Sequence, residues 1–254
     1  MIVIAGPCVI EGEEEVLSIA RKLCSTARLL KDNDIDFVFK ASFDKANRSS
    51  INSYRGVNIE QAVDIFEQIQ LMGLKTTTDI HEPWQAEVIS ECVDIIQIPA
   101  FLSRQTDLLE AAAKTGKPVN VKKGQFMAPE DMNNVISKLK HFGCSHLYLT
   151  ERGTFFGYGH LVNDMTSIVK MKSTGFPVIF DATHSVQEPG GLGETSGGNR
   201  RFVVPLAKAA LAIGADGLFF EVHPDPDNAL SDGPNMLKLD EFDDVLKGLL
   251  SIQD

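Results

Sequence analysis

Eight short runs rich in valine, isoleucine and phenylalanine alternate with longer segments of helical period along the chain. The runs lie at residues 2–5, 37–40, 74–79, 95–98, 119–122, 147–150, 178–181 and 218–221. Short apolar runs of this kind are typical of buried parallel strands. In the segment after the first run, Val16, Ile19, Leu23 and Leu30 fall on one helical face. The alternation predicts an α/β fold in which each strand is followed by a helix.

A closed barrel fits this pattern better than an open sheet. The 254 residues contain no Pro/Ser-rich linker and no mid-chain change of composition, whereas two doubly wound halves would meet at a visible boundary. We therefore predict a single (β/α)8 TIM barrel over residues 1–254, and an open parallel sheet is the alternative. In such barrels the functional side chains follow the carboxyl ends of the strands.

Charge and composition exclude several classes of partner. The net charge of -11 disfavours binding to nucleic acid or to an anionic membrane. We expect no membrane span, because no segment approaches the roughly 20 apolar residues that crossing a bilayer needs. The first residues lack the basic leader of a signal peptide, and the four cysteines form no CxxC pair. We therefore expect a cytoplasmic protein with reduced thiols.

Cationic side chains collect after the predicted strands. They are Lys40, Lys45, Arg48, Lys122, Lys123 and Arg152. Such a concentration in an acidic protein predicts a pocket for anions, with more than one phosphate or carboxylate. A lysine at a strand end could instead form a Schiff base with a carbonyl substrate if burial lowers its pKa.

A possible metal set also lies near strand ends. Cys8 follows the first strand, His184 the seventh and Glu221 the eighth, and Asp232 lies in the loop beyond. A thiol, an imidazole and two carboxylates suit zinc, iron or manganese. Alternatively, Cys8 has a structural role and packs in the core like a small hydrophobic side chain.

The stretch IFDATHSVQEPGGLGETSGGNRR, residues 179–201, is rich in glycine and lacks the spacing of a nucleotide-binding loop. Long connections inside compact domains are uncommon and are often functional. We expect a mobile lid over the pocket, with a passive linker as the alternative.

Several motifs resemble those of the 3-deoxy-D-manno-octulosonate 8-phosphate synthase family. They are AGPC (5–8), FKASFDKANRSS (39–50), TTDIHE (77–82), IIQIPAFLSRQTDLL (95–109), NVKKGQF (120–126), TERGTFFGYG (150–159), FDATHSVQ (180–187), SGGNRR (196–201) and EVHPDPDNALSDGP (221–234). The resemblance implies condensation of phosphoenolpyruvate with D-arabinose 5-phosphate and water, in the biosynthesis of the Kdo sugar of lipopolysaccharide. It also implies release of inorganic phosphate.

The resemblance also implies roles for individual residues. Lys45, Lys122 and Arg152 would hold phosphoenolpyruvate, with Gln97 and Ala100 beside them. Asn47, Arg48 and Ser49 would bind arabinose 5-phosphate, and in the family this loop reaches a neighbouring subunit, which implies a homotetramer. Lys40 and Asp79 would contact the sugar or position water.

The metal ligands of the metal-dependent branch of the family match Cys8, His184, Glu221 and Asp232, since metal-independent relatives have asparagine at the cysteine. The residues expected to take part in catalysis are Lys40, Lys45, Asp79, Lys122, His184 and Asp232. A related synthase that uses erythrose 4-phosphate typically reads KPRTSP where this chain reads KANRSS, so Asn47 indicates the five-carbon sugar. A Schiff-base aldolase and a non-catalytic phosphate-binding barrel also stay open.

Overall fold

The computed structural model describes residues 1–188 and 197–251. Its principal strands are β1 (Ile2–Gly6), β2 (Asp36–Lys40), β3 (Lys75–Asp79), β4 (Ile95–Ile98), β5 (Val119–Lys122), β6 (Leu147–Glu151) and β7 (Val178–Asp181). Short strands β8 (Gln187–Glu188) and β9 (Gly197–Gly198) precede β10 (Gly217–His223) and β11 (Leu237–Lys238). The eight long strands agree within one or two residues with the eight predicted apolar runs.

The long strands form a closed parallel barrel. They pair in the order β1 to β7 and then β10, and β10 also pairs with β1. The closing register sets Ile2 opposite Gly217 and Gly6 opposite Glu221. An open sheet would leave two unpaired edges, so this register confirms the predicted (β/α)8 barrel and excludes the open sheet.

Helices cover the outside of the barrel. They are α1 (Glu13–Lys31), α2 (Ile59–Leu71), α3 (Gln85–Cys92), α4 (Thr106–Lys114), α5 (Met132–His141), α6 (Thr166–Lys172), α7 (Val203–Ala212) and α8 (Phe242–Leu250). Local sequence favours the starts of two of them: the Asn58 side chain accepts the Gln61 N–H at the start of α2, and three glutamates open α1. Among the described residues, none of the helices is both long and apolar enough to cross a membrane.

The barrel encloses a small apolar core and a polar ladder above it. Ile2, Ile4, Val38, Ile95, Ile179 and Phe219 pack together inside the strands, and a larger apolar cluster lies between the strands and the helices. On three adjacent strands, Thr150 donates to Asn120, which donates to Gln97 at 3.2 Å. This ladder fixes the Gln97 amide, which lies at the floor of the pocket described below.

The loop that follows β7 is described only at its two ends. There β8 pairs antiparallel with β9, with Gln187 opposite Gly198. The glycine-rich part predicted to be a lid, residues 189–196, lies outside the described residues. The lid therefore stays a prediction.

Candidate active site

One pocket opens at the carboxyl ends of the barrel strands. Its lining includes all eight residues predicted to bind substrate: Lys45, Asn47, Arg48, Ser49, Gln97, Ala100, Lys122 and Arg152. Lys40, Asp79, His184 and Asp232 line it as well. The parallel strands bring these positions together because their carboxyl ends share one face of the barrel.

Lys123 lies elsewhere. Its side chain is fully buried and lies 3.6 Å from Glu151, and its ammonium donates to Thr154 and to backbone carbonyls. Successive side chains of an extended chain point to opposite faces, so Lys122 faces the pocket and Lys123 faces away. Five of the six strand-end cations therefore line the pocket, whereas the sequence predicted that all six would do so.

Lys40 lines the pocket at the carboxyl end of β2, next to β1 and close to Glu221 of β10. Its ammonium donates to Glu221 at 2.6 Å and to the Cys8 carbonyl at 2.7 Å, and its side chain is 1% exposed. The Lys40 backbone also packs closely on Gly6 of β1, where a Cβ would overlap the Lys40 carbonyl. Lys40 therefore neutralises Glu221 at the floor of the site.

Asp181, the last residue of β7, organises two predicted catalytic residues. One carboxylate oxygen accepts from Lys122 at 2.6 Å and lies 2.7 Å from His184 Nδ1, and the other accepts the His184 backbone N–H at 2.8 Å. The Lys122 ammonium also lies 3.7 Å from the centre of the Phe219 ring. Burial lowers the pKa of Lys122, and the Asp181 carboxylate opposes this shift. The same carboxylate turns the other nitrogen of His184 toward Glu221 and Asp232.

Arg152 is buried beside this group. It donates to the Gln187 side chain and to the His184 carbonyl, and its buried Nε has no hydrogen-bond partner among the described residues. Burial lowers the pKa of Arg152, and the Asp181 and Asp232 carboxylates only partly oppose this shift. An arginine nevertheless stays charged at neutral pH. A buried charged donor with a free N–H is suited to an incoming anion.

A chain of hydrogen bonds runs from Lys45 to His81. Lys45 donates to Ser42 at 3.0 Å, Ser42 donates to Asp79, and His81 Nε2 lies 3.1 Å from Asp79. Burial alone would raise the pKa of Asp79, but the contacts with His81 and Lys45 hold it well below its usual range. Asp79 is therefore an ionised acceptor at neutral pH.

The loop after β2 brings Asn47, Arg48 and Ser49 to the pocket rim. Asn47 and Ser49 are exposed and Arg48 is partly buried. Arg48 donates to the carbonyls of Tyr54, at 3.1 Å, and Leu230, at 3.3 Å. Neutral carbonyls are weaker acceptors than a phosphate, so the guanidinium can exchange them for an anionic ligand.

The four predicted metal ligands converge at one side of the pocket, where His184 and Asp232 line it. The ligand atoms of Cys8, Glu221 and Asp232 lie within 4.8 Å of one another. His184 Nε2 lies 3.4 Å from Glu221 and 3.6 Å from Asp232. The second oxygen of Glu221 is buried without a hydrogen-bond partner among the described residues, which leaves it available to a cation.

Titration in this group is set by burial and charge. Burial and the Glu221 carboxylate raise the pKa of the Cys8 thiol. Burial would also raise the pKa of Glu221, but His184 and Lys40 lower it to about 2. Sulfur, imidazole nitrogen and carboxylate oxygen are ligands that zinc, iron and manganese accept. These residues fit a divalent metal.

Comparison with known proteins identifies the family. The model of the DAHP synthetase I family matches residues 1–252. The chain belongs to this family.

Curated relatives agree with the motifs over nearly the full chain. A 2-dehydro-3-deoxyphosphooctonate aldolase of Desulfatibacillum aliphaticivorans is 54% identical over all of this chain and 92% of its own length. Proteins with the same name from Rickettsia canadensis and Rhodopseudomonas palustris are 54% and 55% identical, over 96% and 98% of this chain and 89% and 86% of theirs. They confirm the resemblance inferred from the motifs.

Sequence reasoning assigned no role to several residues of the site. Asp181 stood at a strand end three residues before His184, a spacing that could have suggested their hydrogen bond. Ser42, which joins Lys45 to Asp79, and Ser231, whose hydroxyl lies 2.8 Å from the Cys8 sulfur, gave no such signal. Their importance depends on contacts between loops that are distant in sequence.

Proposed function

We propose that the protein condenses phosphoenolpyruvate with D-arabinose 5-phosphate and water. The products are 3-deoxy-D-manno-octulosonate 8-phosphate and inorganic phosphate. The observation that carries this proposal is the pocket that all eight predicted substrate-binding residues line together. The name shared by the curated relatives supports the same reaction.

Phosphoenolpyruvate would occupy the inner part of the pocket. Lys45, Lys122 and Arg152 would hold its phosphate and carboxylate, beside Gln97 and Ala100. Burial in the folded protein has already removed water from Lys122 and Arg152, so the electrostatic attraction to the ligand is less screened than in water. Burial lowers the pKa of both cations, and nearby carboxylates, Asp181 first among them, oppose this shift.

Arabinose 5-phosphate would lie nearer the rim. Arg48 and Ser49 would bind its phosphate, and Asn47 would contact the sugar side. The exchangeable contacts of Arg48 with two backbone carbonyls support this role, because a phosphate offers stronger, charge-assisted acceptors. The loop would thus select a phosphorylated aldose through the charge of Arg48 and the polar side chains of Asn47 and Ser49.

In the reaction, C3 of the enol attacks the sugar aldehyde while water adds to C2. The resulting tetrahedral phosphohemiketal loses phosphate through C–O cleavage. The ionised Asp79 carboxylate, held by Ser42 and His81, would accept a hydrogen bond from the water or a sugar hydroxyl. Lys122 and Arg152 would stabilise charge that develops on the departing phosphate.

We propose that Cys8, His184, Glu221 and Asp232 hold a divalent metal, which is zinc, iron or manganese. Such an ion supplies Lewis-acid stabilisation of an oxygen or of a bound water. Lys40 balances the charge of Glu221, and Asp181 fixes the His184 ring with Nε2 toward the other ligands.

We place the enzyme in the cytoplasm, in the route to Kdo, as a homotetramer. The four free cysteines support a reducing compartment. Exposed aromatic side chains on loops at the pocket end, Phe101, Phe126, Phe156 and Tyr158, support burial against another copy. Light scattering coupled to size-exclusion chromatography gives the assembly mass.

The decisive experiment measures phosphate release from phosphoenolpyruvate with each sugar. We expect release with arabinose 5-phosphate and not with erythrose 4-phosphate; the reverse preference would refute the sugar assignment. A strong chelator should abolish turnover and a divalent ion restore it, whereas full activity of metal-free protein would refute the metal role.

A matched pair of arginine variants tests the sugar-phosphate contact. Arg48→Ala should raise the KM for arabinose 5-phosphate and leave the KM for phosphoenolpyruvate near the parental value. Arg21→Ala, which removes an exposed arginine of α1, should change neither. An unchanged sugar KM in Arg48→Ala would exclude the phosphate contact.

A further inference from the structure

The segment that carries Asp232 has a demanding backbone conformation. It leaves β10 and runs through Leu230 and Ser231 to Asp232, whose φ of 50° and ψ of 22° are left-handed. A residue with a Cβ disfavours this region unless its surroundings hold it there. The position of Asp232 in the site therefore depends on contacts made by its neighbours.

Glu11 makes one of those contacts from the loop that also carries Cys8. Its carboxylate accepts the Leu230 backbone N–H at 2.8 Å, and the acid is mostly buried, with 12% of its side chain exposed. Two residues further on, Asp232 lies 3.5 Å from the Cys8 sulfur. The loop after β1 thus provides one predicted metal ligand, Cys8. It also provides Glu11, whose carboxylate holds the segment that carries another predicted ligand, Asp232.

The two acids beside His223 have different partners. His223 Nε2 lies 2.9 Å from Glu15 and 3.7 Å from Glu11. The Asp225 backbone N–H donates to His223 Nδ1 at 3.1 Å. Of the two acids, Glu15 lies nearer the histidine, whereas Glu11 accepts the backbone N–H of Leu230.

We propose that Glu11 is a positioning residue that holds Asp232 in place through the Leu230 N–H. This inference rests on the proposed metal site. Without the carboxylate, the Leu230 N–H loses its acceptor, and the segment can relax from the left-handed turn. Asp232 then leaves the position at which it faces Cys8 and His184.

The experiment compares Glu11→Ala, Glu11→Gln and Glu15→Ala with the parent. Manganese(II) binding to chelator-treated protein is measured by calorimetry, and hydrogen exchange of residues 229–235 by mass spectrometry. Glu11→Ala should weaken manganese binding about 10- to 100-fold and speed exchange of the segment. Glu11→Gln keeps an acceptor oxygen, so both measurements should stay near those of the parent.

Glu15→Ala is the matched control, because Glu15 approaches His223 but accepts no bond from the segment. It should behave as the parent in both measurements. In steady-state assays, Glu11→Ala should have a lower kcat at limiting metal, with recovery in excess metal and little change in the KM for phosphoenolpyruvate.

Three results would overturn the inference. Parental affinity and exchange in Glu11→Ala would show that Leu230 needs no carboxylate. Equal losses in Glu15→Ala would assign the effect to general negative charge. A parent that binds no divalent ion would refute the proposed metal site itself, and the positioning role would fall with it.

Discussion

Replacing Asp181 with asparagine should disturb both stability and catalysis, because one carboxylate serves two buried cationic or polar partners. The Lys122 and Asp181 side chains are 7% and 0% exposed, and the His184 ring lies on the same oxygen as the lysine. Asparagine has the same shape but no charge. Whichever way its amide is turned, Lys122 loses its ion-pair partner, and among the described residues the more distant Glu221 carboxylate is the other anion that acts on it.

The size of the effect follows from burial. Removing one partner of a buried ion pair costs about 3–5 kcal/mol, since the other charge is left desolvated and unpaired. For a chain of this size, about 1 kcal/mol shifts the thermal midpoint by about 2–4 °C. We therefore expect Asp181→Asn to unfold about 6–20 °C below the parent.

The lower thermal midpoint can be measured by circular dichroism in buffer that contains a chelator, so that bound metal makes no contribution. The control is Asp36→Asn, which breaks the exposed Lys75–Asp36 pair and should cost no more than about 1 kcal/mol. The kcat/KM for phosphoenolpyruvate should also fall in Asp181→Asn. A midpoint within about 2 °C of the parent, with unchanged kinetics, would show that Lys122 and His184 do not depend on this carboxylate.

Two further predictions concern backbone approach and pH. Gly6→Ala should prevent normal folding or abolish activity, because the new Cβ overlaps the Lys40 carbonyl. As a control, the new Cβ of Gly248→Ala in α8 meets no atom within 4 Å, so this variant should be more stable than the parent by about 0.5–1 kcal/mol. A thermal midpoint of Gly6→Ala equal to that of the parent would contradict the predicted overlap. The folded-state pKa of Asp79 lies below its ordinary value of 3.8, so its charge stabilises the fold above that pH, and this contribution is lost as the pH falls below it. Asp79→Asn should therefore melt below the parent at neutral pH, with a gap that narrows at about pH 3; a gap independent of pH would be evidence against the shift.

Local pattern was enough to predict the barrel. The eight long strands coincide with short runs in the sequence, so their number, order and approximate bounds could be inferred from local pattern. The short strands β8, β9 and β11 gave no such pattern. Because parallel strands present their carboxyl ends on one face, the cations after them could also be assigned to one pocket. The exception was Lys123, where a shift of one residue turned the side chain to the opposite face.

The partners of those residues could not be inferred in the same way. Asp181 is the last residue of the predicted run 178–181, yet its bonds to Lys122 and His184 depend on how β5 and β7 face each other across the barrel. Likewise, nothing local to Glu11 indicates that it accepts the N–H of Leu230, which is 219 residues away.

The sequence by itself determined the architecture and the chemical character of the site, because hydrophobic period and strand-end residue types are local properties. Only the tertiary structure decided which carboxylate neutralises which lysine and which ring nitrogen of His184 points toward Glu221 and Asp232. It also decided which contacts hold Asp232 in a left-handed turn. Those choices depend on distances of a few ångströms between loops that only barrel closure brings together.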